Sequence, residues 1–174
     1  MALRRAILSA AIGASALALT APATAEPVAR NWTPPAYRIY AQALSDDMMA
    51  HHPELWSVTF HGVSPGMDKV YTMFAGSYPD RIGNPDDPDD VDVIVKGITS
   101  VDPRWRRHDA FGKFVLQMPL RDRNGENIGL LVLAYRIGPV IHMGERDYYA
   151  AGTMLRDQLE NRIPDYASLF ARTP

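Results

Sequence analysis

The 174-residue chain contains no cysteine. That excludes disulfides, thiolate zinc sites, iron–sulfur clusters, covalently attached c-type haem and cysteine nucleophiles. Beyond the first 25 residues, no stretch is apolar over the ~20 residues that a membrane span requires. A strong excess of either charge is also missing. The formal net charge is -2, and scattered basic residues on a mildly acidic chain argue against nucleic-acid binding. Neither a phosphate-binding glycine loop nor an H-E-x-x-H helix occurs, and Gly62-Val63-Ser64-Pro65-Gly66 has the spacing of a serine elbow without its strand–turn–helix context. There is no internal repeat and no low-complexity tract after the N-terminal segment.

The first 25 residues carry only two charges, Arg4 and Arg5, followed by an alanine-rich apolar run from Ala6 to Thr20. Ala23-Thr24-Ala25 fits the small-x-small rule for signal peptidase, with cleavage before Glu26. The expectation is an exported, periplasmic protein, a compartment in which a chain without disulfides folds by packing alone. The "LRRAIL" stretch also resembles a twin-arginine signal. Residues 1–25 are thus expected to be a signal peptide, 26–35 a polar leader and 36–174 a single domain. Without Arg4 and Arg5 the formal charge becomes -4.

Periodicity predicts a helix over Ala36–His51, with Tyr37, Tyr40, Leu44 and Met48 on one face and Pro53 as its stop. Leu55–Gly62 alternates, Trp56, Val58 and Phe60 against Ser57 and Thr59, as a strand with one buried face does. Lys69–Ser77 is a second strand. A strand around Ile98–Val101, extending towards Arg107, precedes a clearer one at Gly112–Pro119. Asn124-Gly125 signals a hairpin turn into Ile128–Gly138, which is near-continuously apolar and so suits burial on both faces. A last helix spans Glu145–Arg162, with Leu155, Leu159 and Ile163 at four-residue steps. The sum is an α+β domain with an antiparallel sheet of about five strands.

"MPLRDRNGENIGLLVLAY", Met118–Tyr135, resembles the closing hairpin of PAS-like domains: Pro119, Leu120, Asp122, Gly125, Ile128 and Gly129 stand in the register of that family's pattern. "RIGNPDDPDDVDVIVKG" resembles the loop and short helix of the extracytoplasmic PAS-like group, the Cache or PDC sensor domains. The long helix before the first strand suits the same group. The resemblance covers most of the chain after the leader and implies a fold, not a chemistry. Gly129 is expected to let another backbone approach closely.

Five aspartates fall in seven residues between Asp86 and Asp92. A calcium loop needs oxygen ligands at alternate positions with a glycine at the bend, whereas Pro88 interrupts this run. The competing reading is a short helix, Asp90–Lys96, capped by Asp89 or Asp90 and closed by Gly97. The resemblance favours the helix, with the segment shaping a pocket wall.

The five histidines show no metal-ligand spacing, His51-His52 reads as a helix end, and the methionines Met48, Met49, Met73 and Met118 read as core fillers. No metal, cofactor or catalytic residue is expected. "PRWRRHD", Pro103–Asp109, either lines an anion pocket, since arginine forks match carboxylates and phosphates, or forms a charged edge strand. In the resembling domains the ligand lies against the sheet beneath the loop–helix segment. That implies Tyr71, Arg81, Trp105, Arg107 and Tyr135 as ligand-binding residues. The leading expectation is a periplasmic small-molecule binding or sensing module for a small anionic ligand such as a carboxylate. It would work through a membrane receptor or sensor partner, with homodimerisation also open. The alternatives are an interaction domain of the same fold without a ligand, a metal- or haem-binding protein, and an unrecognised enzyme.

Overall fold

The computed structural model describes residues 29–101, 112–137 and 143–173. The expected signal peptide, Trp105 and Arg107 lie outside these residues. The described elements are helix α1 (Tyr40–His51), strands β1 (Leu55–Val63) and β2 (Tyr71–Gly76), a 3-10 turn (Pro79–Arg81), helix α2 (Pro88–Lys96), strands β3 (Ser100–Val101), β4 (Lys113–Arg121) and β5 (Asn127–Arg136), helix α3 (Glu145–Glu160) and a second 3-10 turn (Ala167–Phe170). The strands form an open five-stranded sheet in the order β2-β1-β5-β4-β3, and every pairing is antiparallel. This is the expected α+β architecture: helix, two strands, loop and short helix, three strands, helix.

Period-2 alternation divides the sheet into two faces. Val58 and Phe60 of β1 lie opposite Leu133 and Leu131 of β5. These in turn lie opposite Leu116 and Met118 of β4. All six are essentially inaccessible to solvent. Leu44 and Met48 of α1 join them from one side, and Tyr148, Leu155 and Leu159 of α3 from the other. At ~25 cal/mol per Å² of apolar surface, this face supplies the main driving force for folding. Gly152 lets α3 sit close: a Cβ there would lie 2.4 Å from Leu116 Cδ1.

Several expectations need correction. Helix α1 begins at Tyr40, so Tyr37 precedes it and is exposed, while Leu44 and Met48 do face the core. The supposed leader takes part in the fold. Asn31 N–H donates to Gly83 O at 2.8 Å, and Trp32 meets Phe170 edge-on at 6.2 Å. Trp56 does not share the buried face with Val58, because a register irregularity between Leu55 and Ser57 puts Leu55 opposite Tyr135 instead. Trp56 packs under the Arg136 guanidinium, 4.8 Å from the ring centre. Strand β1 is buried on both faces rather than one.

Helix α2 starts two residues before the expected position. Pro88 occupies its first turn, where a fixed φ and a missing N–H cost nothing, and Asp87 is the N-cap residue, without a side-chain cap. Asp89 and Asp90 stand in the first turn instead of capping it. The stop is as expected, with Gly97 in the left-handed conformation (φ 63°) and its N–H bonded to Val93 O at 2.9 Å. The β4–β5 turn is also where Asn124-Gly125 puts it. Gly125 takes φ 80°, and Asp122 Oδ1 accepts the N–H groups of Asn124 and Glu126.

Candidate functional site

The second face of the sheet differs in chemistry. Ser57, Thr59 and His61 point from β1 to the side away from Val58 and Phe60, and Gln117 does the same on β4. All four are buried. With Met73, Val115, Val132 and Ala134 they floor a hollow of about 110 Å³. Its walls come from Tyr78 and Arg81 of the first 3-10 turn, Asp87 and Asp90 at the start of α2, and Lys113 of β4. The hollow has room for several waters.

The segment before α2 is held against β2. Gly83 N–H donates to Met73 O, Met73 N–H to Asn84 O and Asp86 N–H to Tyr71 O, at 2.8, 3.1 and 3.1 Å. These bonds bring the Asp86 side chain over β1, where it is fully buried. His61 Nδ1 lies 2.7 Å from Asp86 Oδ1, and His61 Nε2 lies 2.7 Å from Thr59 Oγ1. A hydroxyl, an imidazole and a carboxylate therefore stand in one hydrogen-bonded line. His61 owes its depth partly to Gly129, for which a Cβ would lie 2.5 Å from His61 O. The close approach expected at Gly129 is the approach of β5 to β1 beside this histidine.

A second polar chain runs parallel to the first. Ser100 Oγ donates to Gln117 Oε1 at 2.7 Å, and Gln117 Nε2 donates to Asp90 Oδ1 at 2.8 Å. Burial holds the Asp90 carboxyl above its ordinary value. His61 and the Gln117 amide oppose the shift, and the charges of Asp86 and Asp89 reinforce it.

The sequence-derived site residues separate. Arg81 lines the hollow, its guanidinium 5.5 Å above the Tyr78 ring. Tyr71 begins β2 opposite Val63 and is not among the lining residues; its carbonyl takes the N–H of Asp86. Tyr135 sits on the other face, fully buried in the core and 5.4 Å from the Tyr148 ring. Desolvation raises its phenol pKa. One residue of strand facing separates a core tyrosine from a pocket tyrosine, and Tyr135 falls on the core side. His61 and Gln117 were not anticipated, and Asp86 and Asp90 only as members of a segment expected to shape a pocket wall. The available signal was parity, since His61 continues the polar series Ser57, Thr59 along β1. Its partner Asp86 lies 25 residues away, beyond any local motif.

No protein-family model matches the chain, and no curated protein matches it. Among solved structures, it is similar to the inducer-binding domain of the transcription factor PobR from Acinetobacter, a double mutant in complex with 3-hydroxybenzoic acid. The identity is 12%, the TM-score 0.40, and the match covers 71% of this chain and 97% of that one.

Proposed function

We propose that the protein is a small-molecule-binding module that takes its ligand in the hollow between the sheet and α2. One observation carries this reading. Four polar side chains, Ser57, Thr59, His61 and Gln117, are buried along a single sheet face and surround unfilled space. Burying polar groups is costly unless they are hydrogen-bonded, and Thr59, His61 and Gln117 meet that demand through partners at the rim of the hollow, a network that an apolar floor would not need. Convergent polar groups in a concavity are the usual mark of a ligand site. Arg81 and Lys113 on the wall favour a carboxylate or phosphate group on the ligand.

The wider reading extends the resemblance noted in the sequence. The protein belongs to the extracytoplasmic PAS-like (Cache) group, is exported to the periplasm, binds without covalent chemistry and reports occupancy to a membrane-bound partner.

A thermal-shift screen of the purified protein against formate, acetate, short dicarboxylates, amino acids and phosphate tests the binding claim. A ligand of the native state alone adds about 2.7 kcal/mol at 100 times its Kd, a rise of several degrees for a domain of this size. The expected result is such a rise with one small anion, reduced in Arg81→Gln and in Ser57→Ala. A flat response to the whole panel, or a shift that both variants retain in full, overturns it.

A further inference from the structure

We infer that His61, Asp86 and Asp90 form a binding site for a divalent first-row transition metal, with Zn²⁺ held more tightly than Mn²⁺. Each residue offers one ligand atom, and these atoms all lie within 4.8 Å of one another. They come from three separate places, β1, the segment pinned to β2, and the first turn of α2, so their meeting is a product of the tertiary fold.

A second observation concerns the unsatisfied valence of one member. Asp86 Oδ2 is buried and accepts no hydrogen bond from the described residues, in a side chain that is wholly inaccessible. A buried carboxylate with one oxygen unsatisfied is costly. A second carboxylate, Asp90, stands in the same cluster. Two carboxylates and one imidazole whose ligand atoms converge are a donor set that a dication completes.

A metal bound at His61 Nδ1 leaves Nε2 to carry the ring proton and donate it to Thr59 Oγ1, 2.7 Å away. The metal-ligating histidine then has its other ring N–H anchored, as such histidines almost always do. Metal–nitrogen and metal–oxygen bonds of about 2.0–2.2 Å place neighbouring ligand atoms roughly 3–3.5 Å apart. The ligand atoms now lie within 4.8 Å of one another, so metal entry requires these side chains to adjust to that spacing.

The donor set selects the metal. Imidazole nitrogen disfavours Ca²⁺, which takes six to eight oxygens, and the general affinity order puts Zn²⁺ above Mn²⁺. Three protein ligands leave coordination positions open towards the hollow, where a small anion can bind. That last clause alone rests on the function proposed above.

The test uses Co²⁺ as a spectroscopic probe on the purified protein without any anion, followed by Zn²⁺ and Mn²⁺ competition and calorimetry. The expected result is a visible d–d band at one equivalent, displaced by Zn²⁺. Losing an outer-sphere partner costs about 10–100-fold in affinity, so Thr59→Val is expected to weaken Zn²⁺ by that factor. Asp90→Asn, which keeps the Gln117 contact available, is expected to weaken it at least as much. Replacing both His51 and His52 by alanine is expected to change nothing. Absence of a band and of Zn²⁺ heat, binding that survives Asp90→Asn, binding lost with His51 and His52, or tighter Ca²⁺ than Zn²⁺ binding each overturns the assignment. Anion shifts in metal-free protein are scored separately, so either idea fails without deciding the other.

Discussion

The two faces of one sheet follow the same backbone and obey opposite rules. The side chains of Val58, Phe60, Leu116 and Leu133 close against a mainly apolar face of α1 and α3. One residue along each strand, Ser57, Thr59 and Gln117 turn to a face that is equally sheltered yet polar and incompletely filled. Burial therefore does not separate scaffold from site here. What separates them is whether a buried group is spent on packing or on a polar network that lines a hollow. On the proposed function, stability resides on the first face and recognition on the second, and substitutions should affect them differently.

Phe60→Ala should have the largest effect. Truncating a buried phenylalanine costs about 3–5 kcal/mol, and Phe60 is fully inaccessible. Urea unfolding should show the loss as a lower midpoint with unchanged slope. If the core face tolerated this change, the division of labour would collapse.

Gly129→Ala probes the seam between the faces. The added methyl meets His61 O at 2.5 Å, so β5 and β1 must separate, at about 1–3 kcal/mol for overpacking. The sharper readout is His61 itself, whose ring signals in NMR should shift while those of Tyr148 stay put.

Gln117→Ala removes the amide that joins Ser100 to Asp90. Leaving buried groups unsatisfied costs about 1–3 kcal/mol, and equilibrium unfolding measures it. The loss should be smaller than for Phe60→Ala, and ligand binding should suffer out of proportion to stability.

The smallest effect belongs to neither face. Arg162 bridges to Asp47 at 2.6 Å, and this contact, with His51 nearby, holds the Asp47 carboxyl below its ordinary value of 3.8. A folded-state value below the unfolded one adds stability above the unfolded value, and that increment is lost as pH falls through the folded one. Asp47→Asn should therefore cost under about 1 kcal/mol at neutral pH, as exposed pairs do. Its gap from the parent protein should close below pH 3.8, read from melting temperatures across pH.

Much of the scaffold was legible in the sequence because its signals are local. Alternation marks β1, apolar continuity marks β5, Asn124-Gly125 marks the hairpin and Gly97 marks the end of α2. Leu155 and Leu159 are a buried helical stripe as expected, whereas Ile163, read as part of it, is buried just beyond the end of α3 at Glu160. The site was far less legible because it is assembled from long-range partners. Asp86 reaches His61 only because residues 83–86 bond to β2, and no spacing rule encodes that. Tyr135 was misplaced for a related reason: alternation tells which residues share a face but not which face is the core. The irregular pairing of β1, with register shifts beside Trp56 and between Phe60 and His61, defeats simple counting at both ends of that strand.

The docking of residues 83–86 has a further consequence. Strand β2 ends the sheet, and an uncovered edge is a template for pairing with other chains. The same three backbone bonds that deliver Asp86 occupy part of that edge, with Thr72 bridged to Pro85. Loosening this segment would thus do more than dismantle a site. It would bare unsatisfied amide and carbonyl groups to neighbouring molecules, so loss of function and loss of solubility should appear together in the same variants.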